Sequence, residues 1–463
     1  MKGNRFLQVI LFFAAYCLSC DDYLEVKTYG QVLPETTEDY ASLINTHLSN
    51  VETSSSDKII GNFNDVLRFE CFSDNLNANL STSVSSSYTP IYVGSYVGSA
   101  MYRFNNLFQV VKDVNVVLDY MNDVETELGK KVTAVAYTLR AVLYYNMMRE
   151  LCEPYEKQRA LEIMGIPIME HFDMEAKPGR GNIQNTVDFI ISDLKKAIAL
   201  NQTDEMYIFT VDVAKAYLAR TYFWAQDWDN AIIVAKELLD KYPLLEGEAY
   251  TAMLQTVPPI DETPGNVLLY GYQKGTQSSA FKTRYTTDSR RRPVSLEFAR
   301  LFVEGERDIR YSLYFDKQYL NTKRLNMCIR SAEMCLILAE SYAHLNNSEE
   351  ALYYLNELRR RRIKDYVLLT ETTLPGVDEE ALIQVDAEGK ALTPLMAAIL
   401  NERRKELYME GDRWFELKRN GRPEFWVGYN GIKYTTRKYL YTYPLWKQDL
   451  AVNPNLIQNE GYE

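Results

Sequence analysis

Residues 401–419 read Asn401-Glu402-Arg403-Arg404-Lys405-Glu406-Leu407-Tyr408-Met409-Glu410-Gly411-Asp412-Arg413-Trp414-Phe415-Glu416-Leu417-Lys418-Arg419, and the fold turns on them. Together with Ile399 and Leu400, the apolar residues Leu407, Trp414 and Leu417 recur at helical spacing. That spacing predicts one amphipathic helix with charge on both flanks. Gly411 inside such a helix costs about 1 kcal/mol against Ala, so its presence implies a neighbour packed close to the backbone. Arg403, Arg404, Glu406, Glu410, Asp412 and Arg413 fall where opposite charges pair along a helix. The reading is a charged helix anchored on the protein body through Trp414.

The segments upstream are also helical. Apolar periodicity predicts helices over Met101–Met121, Thr133–Leu151, Val187–Leu200, Val211–Ala225 and Asn230–Lys241. Asp227-Trp228-Asp229 supplies turn and N-cap material between the last two. A figure repeats here: Leu218-Ala219-x-x-Tyr222, followed by Ala231 and Pro243, recurs 120 residues later as Leu338-Ala339-x-x-Tyr342 with Ala351. Arg140-Ala141-x-x-Tyr144 is an earlier, interrupted copy. The small residue lets two helices approach and the aromatic fills the groove beside it, as in tetratricopeptide repeats. The expected fold is mainly α: a single large helical domain built on tetratricopeptide-like helix pairs, with long loops and a few short strands. The stretch from Pro154 to Gly181 reads as an insertion, and Val367–Thr393 as a surface excursion. Tyr250–Tyr319 is loop-rich and holds a short strand at Val267–Tyr270. Its long loop, Gln273–Pro293, carries Phe281, Tyr285 and the basic run Arg290-Arg291-Arg292.

The 463 residues carry 63 acids against 51 bases, a formal charge of −12, which argues against a nucleic-acid partner. Tyrosine is abundant, at 35 residues, and suits half-buried helix faces and open binding surfaces alike. The chain starts with Lys2 and Arg5, then an apolar run from Phe6 to Leu18, too short to span a bilayer but of signal-peptide length. The run ends at Leu18-Ser19-Cys20 before Asp21-Asp22, which resembles a bacterial lipoprotein signal with Cys20 as the lipidated new N-terminus. Cys17 stands where that pattern carries Leu. The acidic pair after Cys20 resembles the surface-export signals of Bacteroidetes lipoproteins. Of the other cysteines, Cys71, Cys152, Cys328 and Cys335 fit no zinc spacing, and a disulfide among them stays open. Cys328 and Cys335 share one apolar helix face, as small buried hydrophobes do.

Catalytic chemistry finds little footing. Two of Glu402, Glu406, Glu410 and Glu416 would suffice for glycoside hydrolysis, but each has Arg or Lys neighbours that keep a carboxylate ionised. His47, His171 and His344 are too scattered to hold a metal, and His344 reads as a solvated helix cap. No phosphate-cradling loop or nucleophile elbow occurs, so no cofactor and no catalytic residue is expected.

Three motifs carry a family resemblance. Asn401-Glu402-Arg403-Arg404-Lys405-Glu406-Leu407-x-x-Glu410-Gly411-x-Arg413-Trp414-x-x-Leu417-Lys418-Arg419 resembles the signature helix of the SusD/RagB family. Tyr443-Pro444-Leu445 with Asn453-Pro454-Asn455-Leu456-x-Gln458-Asn459-x-Gly461-Tyr462 resembles its usual C-terminus. Ile329-Arg330-Ser331-Ala332-Glu333-x-x-Leu336-x-x-Ala339-Glu340 resembles its repeat helix. The resemblance runs from Cys20 to Tyr462. It implies a non-enzymatic, lipid-anchored outer-membrane protein facing the cell exterior. Such a protein binds a nutrient, usually an oligosaccharide, and lids a SusC/RagA-type TonB-dependent transporter. The alternatives are a helical-repeat interaction scaffold and a RagB-like peptide binder without glycan binding. The implied layout is a signal peptide at 1–19, a lipidated tether and docking segment at 20–50, and a SusD-like domain at 51–463. That domain divides into an N-terminal part (51–249), a central insertion (250–320) and a signature region (321–463). In the family the ligand meets loop aromatics and polar groups of the N-terminal part and the central insertion. The implied candidates are therefore Asp74, Asn75, Tyr88, Tyr92, Tyr96, Phe281, Arg284 and Tyr285. Arg284 and Arg290–Arg292 fit an acidic glycan or the transporter.

Overall fold

The computed structural model describes residues 34–53, 59–61, 63–77, 102–255, 267–270, 289–290, 292–323, 328–429 and 432–462. Its helices in the N-terminal half are α1 (Thr37–Thr53), α2 (Phe63–Phe72), α3 (Tyr102–Tyr120), α4 (Glu127–Leu151), α5 (Ile183–Leu200), α6 (Val211–Trp224), α7 (Trp228–Lys241) and α8 (Gly247–Gln255). Strand β1 (Val267–Tyr270) and the short helices α9 (Leu296–Arg300) and α10 (Ile309–Tyr314) follow. Then come β2 (Cys328–Arg330), α11 (Ser331–His344), α12 (Ser348–Arg360), α13 (Pro394–Glu406) and α14 (Arg413–Arg419). A hairpin of β3 (Trp426–Tyr429) and β4 (Ile432–Thr435) precedes α15 (Lys447–Val452).

The repeated figure folds as expected, down to its turns. In both α6–α7 and α11–α12 the turn is made the same way. Gln226 (φ 56°) and Asn346 (φ 59°) take the left-handed conformation. The next residues, Asp227 and Asn347, donate back to the carbonyls of Tyr222 and Tyr342, each at 2.9 Å. Their side chains then cap the following helix, accepting from the backbone N–H of Asn230 and Glu350. This closes each helix end with satisfied carbonyls and opens the next with a capped N-terminus. Ala219, Ala231, Ala339 and Ala351 are fully buried, which lets the helix axes approach, and α11 packs on both α7 and α12. The interrupted copy is a true helix pair: α4 packs on α5, and Arg140 forks onto Asp193 of α5 at 2.7 and 2.9 Å. Residues between α4 and α5 form the expected insertion. Helix α1 lies on α3 and α4 and buries Tyr40, Ile44 and Leu48.

The signature stretch departs from the expectation of one continuous helix. It is two helices, α13 and α14, separated by a break at residues 407–412, with Met409 (φ 59°) and Gly411 (φ 75°) both left-handed. Gly411 suits this break because glycine takes that conformation without strain. The break has a packing reason. Among the described residues the buried apolar side chains form two clusters, and the stretch runs between them. Leu407, Trp414 and Leu417 belong to the larger one, with the repeat helices. Tyr408 and Met409 belong to the smaller, with Val66, Tyr250, Phe298 and Tyr314. A straight helix presents one apolar stripe; a turn at 407–412 presents residues to both sides. Trp414 stacks on Tyr441 (4.3 Å) and meets Phe72 edge-on (5.5 Å). The C-terminal motif closes onto α4: Asn459 Nδ2 donates to the carbonyls of Leu151 (2.8 Å) and Tyr443 (2.6 Å).

Candidate functional site

The charges of the signature stretch lie inside the molecule. Glu402 and Glu406 are inaccessible, and Arg403, Arg404, Lys405 and Arg413 are buried. A few pairs follow helical spacing, among them Lys405–Glu402 (3.0 Å) and Arg413–Glu416 (2.7 Å). Most reach elsewhere in the chain. Glu406 takes hydrogen bonds from three guanidiniums: Arg310 Nη1 (3.0 Å), Arg330 Nη1 (2.5 Å), and Arg362 through Nε (3.0 Å) and Nη2 (2.9 Å). Glu410 accepts from Arg330 and from Lys323 Nζ (2.7 Å). Burial alone would raise these carboxyls, but the cations beside them hold Glu402, Glu406 and Glu410 below the usual carboxylate range. Glu416 differs: burial raises it, against Arg413. Arg310, Lys323 and Arg362 carry no sequence signal, since they lie in short or irregular segments without periodicity. Arg330 was visible within the Ile329–Glu340 motif.

This network grips the N-terminal segment that leads to the candidate loops. Arg413 forks onto Asp74 at 2.7 and 2.9 Å, and Arg404 joins it at 3.0 Å. Burial would raise the Asp74 carboxyl; Arg404 and Arg413 overcome that and hold it well below its ordinary value. Asn75, fully buried, accepts from Arg404 Nε (2.8 Å) and donates to Glu70 (2.9 Å), whose other oxygen accepts from the Met409 N–H (2.9 Å). Burial pushes the Glu70 carboxyl up to about 7, even against the hydrogen bonds from Asn75 and Met409.

The same segment is stitched to the central insertion. Leu76 bridges Val294, the Asn77 N–H donates to Pro293 O (2.8 Å), and the Ser295 N–H donates to Asn75 O (2.8 Å). Arg292 donates to the carbonyls of Cys71 (3.0 Å) and Asn77 (2.7 Å), while Arg290 pairs with Asp316 (2.5 Å). Neither is an outward-facing cation of the kind the basic run implied. Both are spent on backbone carbonyls and a carboxylate, which a loop root otherwise leaves unsatisfied.

Thus Asp74 and Asn75 are brought together, at the root of the site and turned toward the interior. Tyr88, Tyr92, Tyr96, Phe281, Arg284, Tyr285 and Cys20 lie outside the described residues. The first candidate segment begins after Asn77 and the second ends before Ser289, and the Asn77–Pro293 hydrogen bond sets these two roots side by side.

Two other readings are settled by packing. His344 is no solvated cap: it is buried and stacks on Trp228 with ring centres 4.1 Å apart, beside Glu340, Asp386 and Glu388. Cys71, Cys152, Cys328 and Cys335 are all free thiols.

Comparison with known proteins places the chain in context. Residues 307–462 match the model of the SusD family. Residues 22–223 match a family described as starch-binding and associating with the outer membrane. Residues 217–244 match a tetratricopeptide repeat, the α6–α7 pair. A SusD-like protein, P38, of Formosa agariphila is 33% identical over 134 residues; the match covers 29% of this chain and about a quarter (24%) of that relative's length. A SusD superfamily structure from Bacteroides vulgatus superposes with a TM-score of 0.71 at 18% identity, covering 93% of this chain and 100% of the other. One from Bacteroides thetaiotaomicron gives 0.68 at 19% identity, covering 92% and 99%. A laminarin-binding SusD-like protein gives 0.60 at 16% identity, covering 92% and 99%. At those identities the likeness is one of fold.

Proposed function

Because the chain belongs to the SusD/RagB family, we propose that it is a cell-surface nutrient-binding lipoprotein that takes up an oligosaccharide and hands it to a SusC/RagA-type TonB-dependent transporter. In this reading Cys20 carries the lipid that anchors it in the outer membrane, facing outward. The protein binds and does not cleave. Tyr88, Tyr92, Tyr96, Phe281 and Tyr285 offer flat faces to the CH-rich side of a sugar, and Arg284 offers donors to its hydroxyls. Asp74 and Asn75 hold the root of the first of these segments.

The observation that supports this reading is the clamp at Leu76–Val294. Two segments far apart in sequence, each carrying candidate aromatics, are tied together at their bases by backbone hydrogen bonds and Arg292. A scaffold that only docked a partner through its repeats has no need of that join. The test is a glycan array followed by calorimetry on the protein and on a Tyr92→Ala/Tyr285→Ala double variant. Binding of one glycan class is expected, weakened about ten-fold or more in the variant, the effect of losing about 1.4 kcal/mol of ring contact, with melting unchanged. If no glycan binds, or if the variant binds equally well, the reading fails.

A further inference from the structure

An open cleft of about 720 Å³ lies between the insertion that follows α4, the base of the β3–β4 hairpin and the C-terminal segment. Its size falls within the range of about 300–1,000 Å³ in which small-molecule sites are found. It shares no residue with the loop roots at Asn77 and Pro293.

Tyr439 lines this cleft and is 37% exposed. Its ring is held from behind. A Cβ on Gly461 would stand 2.6, 2.7 and 3.1 Å from the ring atoms Cδ2, Cγ and Cε2. Such similar distances to three successive atoms put Gly461 over the face of the ring. Residue 461 takes φ 83°, which glycine adopts without strain. Tyr462 meets the same ring edge-on, with centres 5.2 Å apart. Backbone therefore covers one face of Tyr439, and what remains exposed opens on the cleft. A ring fixed in this way loses little freedom when a ligand lies on it.

The walls are charged but balanced. Arg422, left-handed at φ 52°, reaches from beyond the end of α14 to Glu153 (3.1 Å). Arg437 pairs with Glu424 (2.9 Å), and Arg159 with Glu156 (3.1 Å). Lys438 and Glu460 line the cleft without an ionic partner among the described residues, and their charges cancel. The cleft thus offers no surplus cation to a phosphate, sulfate or uronate. Each paired guanidinium keeps N–H donors, and each carboxylate keeps lone pairs. Sugar hydroxyls donate and accept, which matches walls where the two kinds of group stand together. Water satisfies such walls equally well. The half-open ring is what water leaves unsatisfied and the CH-rich face of a pyranose covers.

We propose that this cleft is a second saccharide site, separate from the candidate loops, that takes a neutral sugar chain. Tyr439 is its stacking ring, and Arg422, Arg437, Glu153 and Glu424 bond the hydroxyls.

The test is calorimetry with four neutral hexaoses as probes, built of α-glucose, β-1,3-glucose, β-1,4-glucose and mannose, with oligogalacturonate as the acidic control. The protein used is the full chain carrying Tyr92→Ala and Tyr285→Ala, which removes the candidate loop rings. One neutral hexaose is expected to bind it, and adding Tyr439→Ala is expected to weaken that binding about ten-fold or more. Arg437→Ala, at an exposed side chain, is expected to weaken it about three-fold or more and decides the matter if the Tyr439 variant does not fold. Binding by the wild type that vanishes in the Tyr92/Tyr285 variant upholds the loop site and overturns this one. Equal binding by those two proteins, lost with Tyr439→Ala, upholds this site and overturns the loops. Binding of oligogalacturonate alone, or of no hexaose at all, overturns the proposal.

Discussion

Glu70 is the titratable residue with the most to say about the loop roots. It is fully buried, its partners are Asn75 and the Met409 N–H, and its carboxyl sits near 7 where an exposed glutamate sits at 4.5. A carboxyl raised by folding stabilises the fold fully below the unfolded value and loses that contribution as pH climbs through the folded value. The window is therefore pH 4.5 to somewhat above 7. At roughly 1.36 kcal/mol per unit, the wild type is expected to lose about 3 kcal/mol relative to Glu70→Gln between pH 4.5 and 8. Urea titrations of both proteins across that range measure the difference; parallel curves would place the Glu70 charge elsewhere in the titration. Any constant offset from the hydrogen bond lost in the glutamine variant cancels from the comparison.

Among the elements, the α13–α14 break gives a prediction whose sign separates two structures. Were residues 401–419 one helix, Gly411→Ala would stabilise the protein by about 1 kcal/mol. With Gly411 at φ 75°, the same change is expected to destabilise by about 1–2 kcal/mol, read as a lower urea midpoint. The helix pairs were legible because their requirements are local: an alanine to let axes approach, an Asx residue to cap. The break was not legible because its cause is tertiary. Leu407 and Trp414 keep the same apolar period on either side of it, so the pattern reads as continuous, and the second cluster that draws Tyr408 and Met409 away is assembled from distant segments. His344 failed for the same reason, its burial being decided by Trp228 on another helix pair. At the candidate site, Asp74 and Asn75 were named by position, but their inward turn was not legible, since the arginines that claim them lie some 330 residues away in sequence.

For the molecule as a whole, Glu406 is the tie between the two apolar clusters, gripping Arg310, Arg330 and Arg362 at once. Glu406→Gln leaves three guanidiniums short of their counter-charge in a dry interior and is expected to cost about 3–5 kcal/mol in urea unfolding. An exposed ion pair removed in the same way costs under about 1 kcal/mol, so the size of the loss reports on burial. The network has a bearing on where such a protein is able to live. Buried cations and anions nearly match among the described residues, so the net −12 sits chiefly outside. Dissolved ions screen exposed charges strongly and enclosed ones little. Brine therefore quiets the mutual repulsion of the exterior acids while leaving the interior adhesive untouched, and a fold joined in this way tolerates swings in salinity that would loosen one stapled across its surface.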